Sequence, residues 1–286
     1  MLADACRPLV NFLAPAKINL SLIVKGRRAD GFHEIETVIV PISLCDSLEI
    51  ARHDEEGLEF TCDDPSVPGD EMNLVVRATR LFCSAAGREP HLRIHLRKVI
   101  PHGAGLGGGS SDAATTLLAL NTLFETALSW TELAELGGQL GSDVPVFLYG
   151  SAALCRGRGE QIEPLHFPHP LPLLLVKPPF GVPTPWAYGR WQKSLEIPGV
   201  SYAPQPFAWG ELCNDLERPV FEKHLFLAVL KGWLLAQAEV AGALMSGSGS
   251  TLFAVLHEAT GAAPLASRAA QEFGQSLWCK AVETKG

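Results

Sequence analysis

The stretch Gly103-Ala-Gly-Leu-Gly-Gly-Gly-Ser-Ser-Asp112 decides how this chain is read, because it sets five glycines and two serines between two strongly patterned segments. Upstream, Leu92, Ile94 and Leu96 alternate with His91, Arg93, His95 and Arg97, the period of a half-buried strand. Downstream, Ala113, Ala114, Leu117, Leu118, Asn121 and Phe124 recur at helical spacing. A strand that feeds a glycine-rich turn into a helix N-terminus makes an anion site. Glycine lets the backbone approach a phosphate closely, and the unpaired N–H groups and positive dipole end of the helix face it. A flexible linker is the alternative, but linkers seldom join two such patterned elements. The segment predicts phosphate binding.

Two familiar phosphate-binding patterns do not fit. The Walker A loop needs a lysine before a Ser/Thr at its end, and no lysine occurs between Lys98 and Lys177. Gly103-x-Gly105-x-x-Gly108 matches the dinucleotide fingerprint in form. That fingerprint also needs a second strand ending in an acidic residue roughly 20 residues on. Here the chain runs from Phe124 into Leu128-Ser-Trp-Thr-Glu-Leu-Ala-Glu-Leu136, a second helix with Ser129 or Thr131 as its cap. A dinucleotide-binding oxidoreductase is disfavoured.

The chain has 286 residues, of which 47% are hydrophobic and 19% charged, enough for one large domain or two ordinary ones with real cores. Its net charge of -8 argues against a nucleic-acid partner. Two basic clusters, Lys25/Arg27/Arg28 and Arg93/Arg97/Lys98, are either solvated faces or contacts for an anionic ligand. The cysteines (Cys6, Cys45, Cys62, Cys83, Cys155, Cys213, Cys279) are odd in number, scattered and never in a C-x-x-C pair, as expected of reduced thiols in a cytoplasmic protein. At the N-terminus Asp4 and Arg7 interrupt the short apolar stretch that a signal peptide would need. The apolar run Leu225 to Met245 carries Lys231, Gln237 and Glu239 and reads as a helix with a buried face, not a membrane span.

Along the chain, Pro15 to Gly26 reads as a strand with Ile18, Leu20, Leu22 and Val24 on one face and Lys17, Asn19 and Ser21 on the other. Asp30-Gly31 signals a turn, and Thr37 to Val40 lies in further strand-like sequence. Asp70 to Ala86 reads as a helix. After a proline-rich stretch containing a candidate buried strand, Leu171 to Lys177, the spacing predicts helix over Asn214 to Ala243. A second glycine turn, Met245-Ser-Gly-Ser-Gly-Ser250, a strand over Thr251 to Leu256, a helix and a last strand near Leu277 to Val282 follow. Strands and helices without regular alternation indicate an α+β protein in two parts, with the change near Leu165.

Three of these segments, Pro15-Ala-Lys-Ile-Asn-Leu20, Gly103 to Ser111 and Met245 to Ser250, resemble the three motifs of the GHMP kinases, which include galactokinase, homoserine kinase and mevalonate kinase. Arg28-Ala-Asp-Gly-Phe-His33, Gly141-Ser-Asp-Val-Pro-Val-Phe147 and Asn214-Asp-Leu-Glu217 narrow the likeness. They are similar to the branch that phosphorylates the 2-hydroxyl of a cytidine-diphosphate-linked methylerythritol in the non-mevalonate isoprenoid pathway. Another small-molecule kinase, such as mevalonate kinase, is the runner-up. The resemblance implies a ribosomal-S5 domain 2-like N-terminal domain over residues 1–164 and a ferredoxin-like C-terminal domain over 165–286, with the ligands meeting between them. It also implies ATP with Mg2+ as the phosphoryl donor, small-molecule substrates, no membrane partner, and a monomer or weak homodimer. Phe32 stands where the family usually has tyrosine, and His102 where a smaller or unbranched residue is common.

Phosphoryl transfer to an alcohol needs a cradled triphosphate, an aligned hydroxyl and a place for its proton. On the resemblance, Gly103, Gly105, Leu106, Gly107, Gly108 and Gly109 form the cradle, and Ser110 and Ser111 add hydroxyl donors or magnesium contacts. From the residues alone Asp143 is a cap or turn residue and Lys17 an exposed residue of an edge strand. The resemblance makes Asp143 the general base and places the Lys17 ammonium beside it, keeping it ionised and stabilising the attacking oxygen. Asn19 would hold the substrate's erythritol or diphosphate end. Phe32 and Tyr188 would wall the cytosine, with His33 on its edge and Thr184 nearby; core packing, or for His33 a satisfied turn, is the alternative for each of the rings. Asn73 and Lys98 are assigned to the adenine side, with a helix cap and a solvated strand end as their alternatives.

Overall fold

A computed structural model describes residues 10–167 and 170–285. Cys6 and the N-terminal residues Asp4 and Arg7 lie outside them. Strands β1 (Val10–Arg27), β2 (His33–Arg52) and β3 (Leu58–Cys62) precede helix α1 (Leu74–Ala85), β4 (Leu92–Arg97) and α2 (Gly108–Leu123). Helices α3 (Trp130–Leu140) and α4 (Val144–Tyr149) lead to β5 (Ala153–Gly157), β6 (Gln161–Pro164), β7 (Pro172–Lys177) and α5 (Thr184–Trp191). The rest comprises β8 (Gln205–Phe207), β9 (Gly210–Asn214), α6 (Glu217–Lys223), α7 (Leu225–Leu235), β10 (Val240–Met245), β11 (Leu252–Leu256), α8 (Ala262–Phe273) and β12 (Trp278–Glu283).

These elements form two compact units, each assembled from separated stretches. The first contains the stretch up to Ala16, Leu44–Ile100 and Gly108–Gly150; the second contains Lys17–Ser43, Pro101–Gly107 and the chain from Ser151 onward. In the first unit the second half of β2 pairs antiparallel with β4, Ser47 opposite Arg97, and β4 pairs parallel with β3. Alternation along β4 buries Leu92, Ile94 and Leu96, which are at most 1% exposed. Phe82 on α1 and Phe124, just past the end of α2, stack their rings at 6.3 Å. The Ser129 hydroxyl accepts the Glu132 N–H, and the Glu132 carboxylate accepts the Ser129 N–H, a complete capping box at the start of α3. Of the two caps expected there, Ser129 is the one used.

In the second unit the first half of β2 pairs with β5, and β1 runs parallel to β9 with Ser21 opposite Cys213. A separate antiparallel sheet has the order β10-β11-β7-β12. β7 and β11 are buried on both faces, so their sequences are continuous apolar runs, and α6 and α7 add Val220, Phe221, Leu227, Leu230 and Leu234 to the same core.

Two expectations need correction. Helix α1 begins at Leu74, not Asp70. The Asp70 side chain accepts the Met72 N–H in a turn before the helix, and the Asn73 side chain accepts the Val75 N–H as the N-cap, which sets the start at Leu74. The helix expected over Asn214 to Ala243 is also wrong at both ends. Asn214 closes β9, His224 separates α6 from α7, and the apolar run from Leu225 turns from helix into strand β10 at Val240. A run this rich in apolar residues, with Leu225 and Val229 apolar yet exposed, shows no clear period from which to tell helix from strand.

Candidate active site

In the second unit, the glycine turn that precedes α2 is locked onto the turn Ser246–Ser250. Gly105 has φ +77°, and a Cβ there would stand 2.2 Å from the Ser246 carbonyl oxygen, so only glycine allows the approach. The Ser246 hydroxyl donates to the Gly105 carbonyl at 2.9 Å, and the Thr251 N–H donates to the Ala104 carbonyl at 3.2 Å. The Thr184 and Ser248 hydroxyls are hydrogen-bonded at 2.8 Å, which joins the start of α5 to the same turn. Asn214 supports it from below: its Nδ2 donates to the Met245 and Gly247 carbonyls at 2.6 and 2.8 Å. Glu217, 1% exposed, accepts the Met245 N–H at 2.9 Å and the Lys231 ammonium at 2.5 Å. Burial pushes the Glu217 carboxyl above its ordinary range, and Lys231 opposes that push.

Strand β1 delivers Lys17 and Asn19 to this place. The Lys17 N–H donates to the Leu106 carbonyl at 3.0 Å, and Gly247 lies so close that a Cβ on it would be 3.3 Å from Asn19 Oδ1 and 3.4 Å from Lys17 Nζ. Neither side chain is on an exposed edge. β1 lies between β2 and β9, and Lys17 and Asn19 are 4% and 3% exposed, so the edge-strand reading of Lys17 is wrong and Asn19 is buried beside it. Lys17 Nζ donates to Asn19 Oδ1 at 2.6 Å, Asn19 Nδ2 to the Thr37 hydroxyl at 2.8 Å, and that hydroxyl to the Ser21 carbonyl at 2.6 Å. The relay fixes which end of the Asn19 amide faces the ammonium. A buried ammonium so held is a preorganised positive charge.

Further along the second unit, Phe32 is 49% exposed, which excludes the core-packing reading. The Arg158 guanidinium lies 4.4 Å from its ring centroid. Half-buried His33 packs on Tyr188 at 5.3 Å and edge-on to Trp191 at 6.2 Å. Burial, with the charge of Arg27 added, lowers the His33 pKa, which favours the neutral ring. The Asp30 carboxylate accepts the Phe32 N–H at 3.1 Å, and Arg28 binds both Asp30 and Glu34, so the turn before Phe32 is braced by its own charges.

In the first unit, α2 starts at Gly108 with no acidic residue in its first turn to oppose the helix dipole. Within that turn the Ser111 hydroxyl is fully buried without a hydrogen-bond partner among the described residues. Lys98 is not a solvated strand end: its side chain is 8% exposed and bonded to Asp46 and, at 2.8 Å, to Asp112. Asp46 also accepts the Val99 and Ile100 N–H groups at 2.5 and 2.8 Å. Two buried carboxylates thus share one ammonium, and burial pushes Asp112 up to about 7, with Asp46 adding to the push and Lys98 opposing it. The other basic residues of the two clusters behave as solvated ones, Lys25 pairing with Glu36, Arg93 with Glu59 and Arg97 with Glu49. Asn73 is 6% exposed and caps α1, with its Nδ2 donating to the Pro68 carbonyl at 2.8 Å. Asp143 stands at the N-cap position of α4, half-buried, yet makes no side-chain capping bond, so the cap reading does not hold for it.

The unpartnered Ser111 hydroxyl in an unopposed first turn fits a bound phosphate. Among the described residues no group of three or more His, Cys, Asp or Glu could hold a metal ion. That is compatible with Mg2+ arriving on a nucleotide, since such an ion takes most of its ligands from phosphate and water. No helix among the described residues is long and apolar enough to cross a membrane. Sequence reasoning passed over Thr37, Asp46, Arg158, Glu217 and Lys231. Only the position of Glu217 in a motif-like segment hinted at any of them.

Residues 73–151 match the GHMP kinases N terminal domain and residues 208–275 the GHMP kinases C terminal domain. The chain is 45% identical over 252 residues, 86% of each protein, to a 4-diphosphocytidyl-2-C-methyl-D-erythritol kinase of Methylacidiphilum infernorum. It superposes with a TM-score of 0.79 and 38% identity on a crystal structure of 4-(cytidine 5'-diphospho)-2C-methyl-D-erythritol kinase, covering 97% of this chain and 100% of that one. The Methanococcus jannaschii mevalonate kinase shares the fold at TM-score 0.65 but only 13% identity, over 99% of this chain and 100% of that one. The motifs, the two domain matches and these likenesses agree: the chain belongs to the GHMP kinases and, within them, to the 4-diphosphocytidyl-2-C-methyl-D-erythritol kinase family.

Proposed function

We propose that the chain transfers the γ-phosphoryl group of ATP, carried with Mg2+, to the 2-hydroxyl of 4-diphosphocytidyl-2-C-methyl-D-erythritol. The observation that carries this reading is the 45% identity over 86% of both chains to a kinase named for that substrate. The buried, hydrogen-bonded Lys17 beside two interlocked glycine turns supports it.

Phosphoryl transfer asks little covalent chemistry of the protein and much positioning and charge stabilisation. Gly103 to Gly109 would cradle the phosphates with backbone N–H groups, and the Ser110 and Ser111 hydroxyls would add donors. Magnesium would neutralise charge on the transferring group. The Asp143 carboxylate accepts the proton of the substrate hydroxyl, and the Lys17 ammonium offsets negative charge on the attacking oxygen. Because Asn19 holds Lys17 from one side, it sets the direction of that charge as well as contacting substrate. Phe32, His33, Thr184 and Tyr188 take the cytidine end. Asn73 and Lys98 shape the nucleotide side by capping α1 and tethering the first turn of α2. The enzyme works on small molecules alone, as a cytoplasmic monomer or weak homodimer.

A coupled ADP-release assay tests this with 4-diphosphocytidyl-2-C-methyl-D-erythritol, mevalonate and homoserine offered separately. ADP release should require the cytidine compound. Turnover of mevalonate with none of the cytidine compound would reject the substrate while leaving the kinase fold intact.

A further inference from the structure

We infer that Arg158 is a further substrate-binding residue, engaging the diphosphate of the cytidine-bearing substrate. The inference rests on the proposed function for the nature of that substrate, and on geometry for the residue.

Arg158 stands in the β5–β6 hairpin between Gly157 and Gly159, which have φ of +74° and +114°. Its own N–H donates to the Glu160 carboxylate at 2.5 Å, and a Cβ on Gly157 would be 2.7 Å from that carboxylate. The turn is therefore held in one shape, and that shape lays the guanidinium 4.4 Å over the exposed ring of Phe32. Its neighbours in sequence and space are electrically satisfied. Arg28 pairs with Asp30 and Glu34, and Arg156 with Glu36 and Glu163. Asp30, which feels the charge of Arg158 through space, is already engaged by Arg28 and the Phe32 N–H. Among the described residues the Arg158 guanidinium makes neither an ion pair nor a hydrogen bond.

A half-buried guanidinium fixed on an aromatic ring, with its donors uncommitted, matches a bidentate phosphate acceptor. The ring it rests on is the one assigned to the cytosine. In a cytidine diphosphate the ribose alone separates base and diphosphate, so a single ligand can reach both. The planar fork suits two phosphate oxygens better than the single carbonyl of a base.

The test compares wild type, Arg158→Ala and Arg158→Lys by calorimetry with cytidine 5'-diphosphate and with cytidine, and by kinetics with the full substrate. Charge-assisted hydrogen bonds of this kind correspond to about 10- to 150-fold in affinity. Arg158→Ala should lose that much for cytidine 5'-diphosphate and almost nothing for cytidine, with KM for the full substrate rising in parallel and KM for ATP unchanged. Arg158→Lys should recover part of the loss. Equal weakening of cytidine and its diphosphate would overturn the proposal, since Arg158 would then act only through the Phe32 ring. Unchanged affinity for both in Arg158→Ala would overturn it outright. If wild type itself bound neither compound, the substrate reading would fail, which is a separate result.

Discussion

Replacing Gly105 by alanine tests whether the two glycine turns form one cradle. The new methyl carbon would lie 2.2 Å from the Ser246 carbonyl oxygen and 3.1 Å from two backbone atoms of Gly249. To reach even the tightest contact real structures tolerate, that carbonyl must retreat by roughly 0.8 Å, in a region packed too densely to yield freely. Holding an L-residue at φ +77° adds about 1–2 kcal/mol. The steric term adds about 1–3 kcal/mol, and loosening the Ser246 hydroxyl from the Gly105 carbonyl adds about 1 kcal/mol. We expect Gly105→Ala to lose about 3–6 kcal/mol, a large part of a typical folding free energy of about 5–15 kcal/mol. Urea denaturation measures the loss, and calorimetry should show ATP binding weakened far more than binding of the cytidine substrate. Gly103→Ala is the control. Gly103 also has positive φ, at +61°, but nothing lies within 4 Å of a Cβ there, so only the strain of about 1–2 kcal/mol should appear. A Gly105→Ala protein within about 1 kcal/mol of wild type, or no worse than the control, would refute the packing of the two turns.

Four other outcomes follow from the same geometry. Asp143→Asn should lower turnover by ~10²–10⁴-fold with little change in ATP affinity, and near-normal turnover would remove Asp143 as the base; Lys17→Met should fall in the same steady-state assay. Phe32→Ala should weaken the cytidine substrate about 5- to 150-fold at little cost in stability because the ring is half exposed, whereas Tyr188→Ala should also destabilise by releasing His33; equal weakening of ATP would show the effect to be structural. Lys231→Met leaves the buried Glu217 carboxylate uncompensated and should cost about 3–5 kcal/mol near neutral pH, with Glu217→Gln in the same background restoring much of it. Burial already raises the Glu217 pKa, so the folded chain takes up its proton at higher pH than the unfolded chain does. The Lys231→Met deficit should therefore grow as pH rises and shrink in acid, and denaturation curves that stay parallel across pH would contradict this.

Much of the site could be read from local chemistry. The period change around Gly103 to Asp112 located β4, the turn and α2, because a strand period of two and a helical period of 3.6 are properties of short segments. The same held for Ser129 as a cap and for the second glycine turn. Reading failed where residue type did not track burial. The run from Leu225 to Met245 places apolar residues on exposed as well as buried positions and hides the change from α7 to β10. Lys98 looked like a solvated strand end because the acids that bury it, Asp46 and Asp112, come from distant parts of the chain.

By itself the sequence placed a glycine turn between a strand and a helix, the local form of a phosphate cradle, and its motifs assigned the chain to the GHMP kinases. Spacing and residue type suffice for that, since the loop's chemistry is carried by consecutive backbone groups. The tertiary structure decided which polar residues have partners. Lys17 is oriented by Asn19, Thr37 and the Ser21 carbonyl, the Ser246–Ser250 turn is held by Asn214 and Glu217, and the Arg158 guanidinium rests on the Phe32 ring with no ion pair among the described residues. Such pairings join residues far apart in the chain. They depend on distances of a few ångströms that strand register and sheet order set, and no local pattern of residues encodes them.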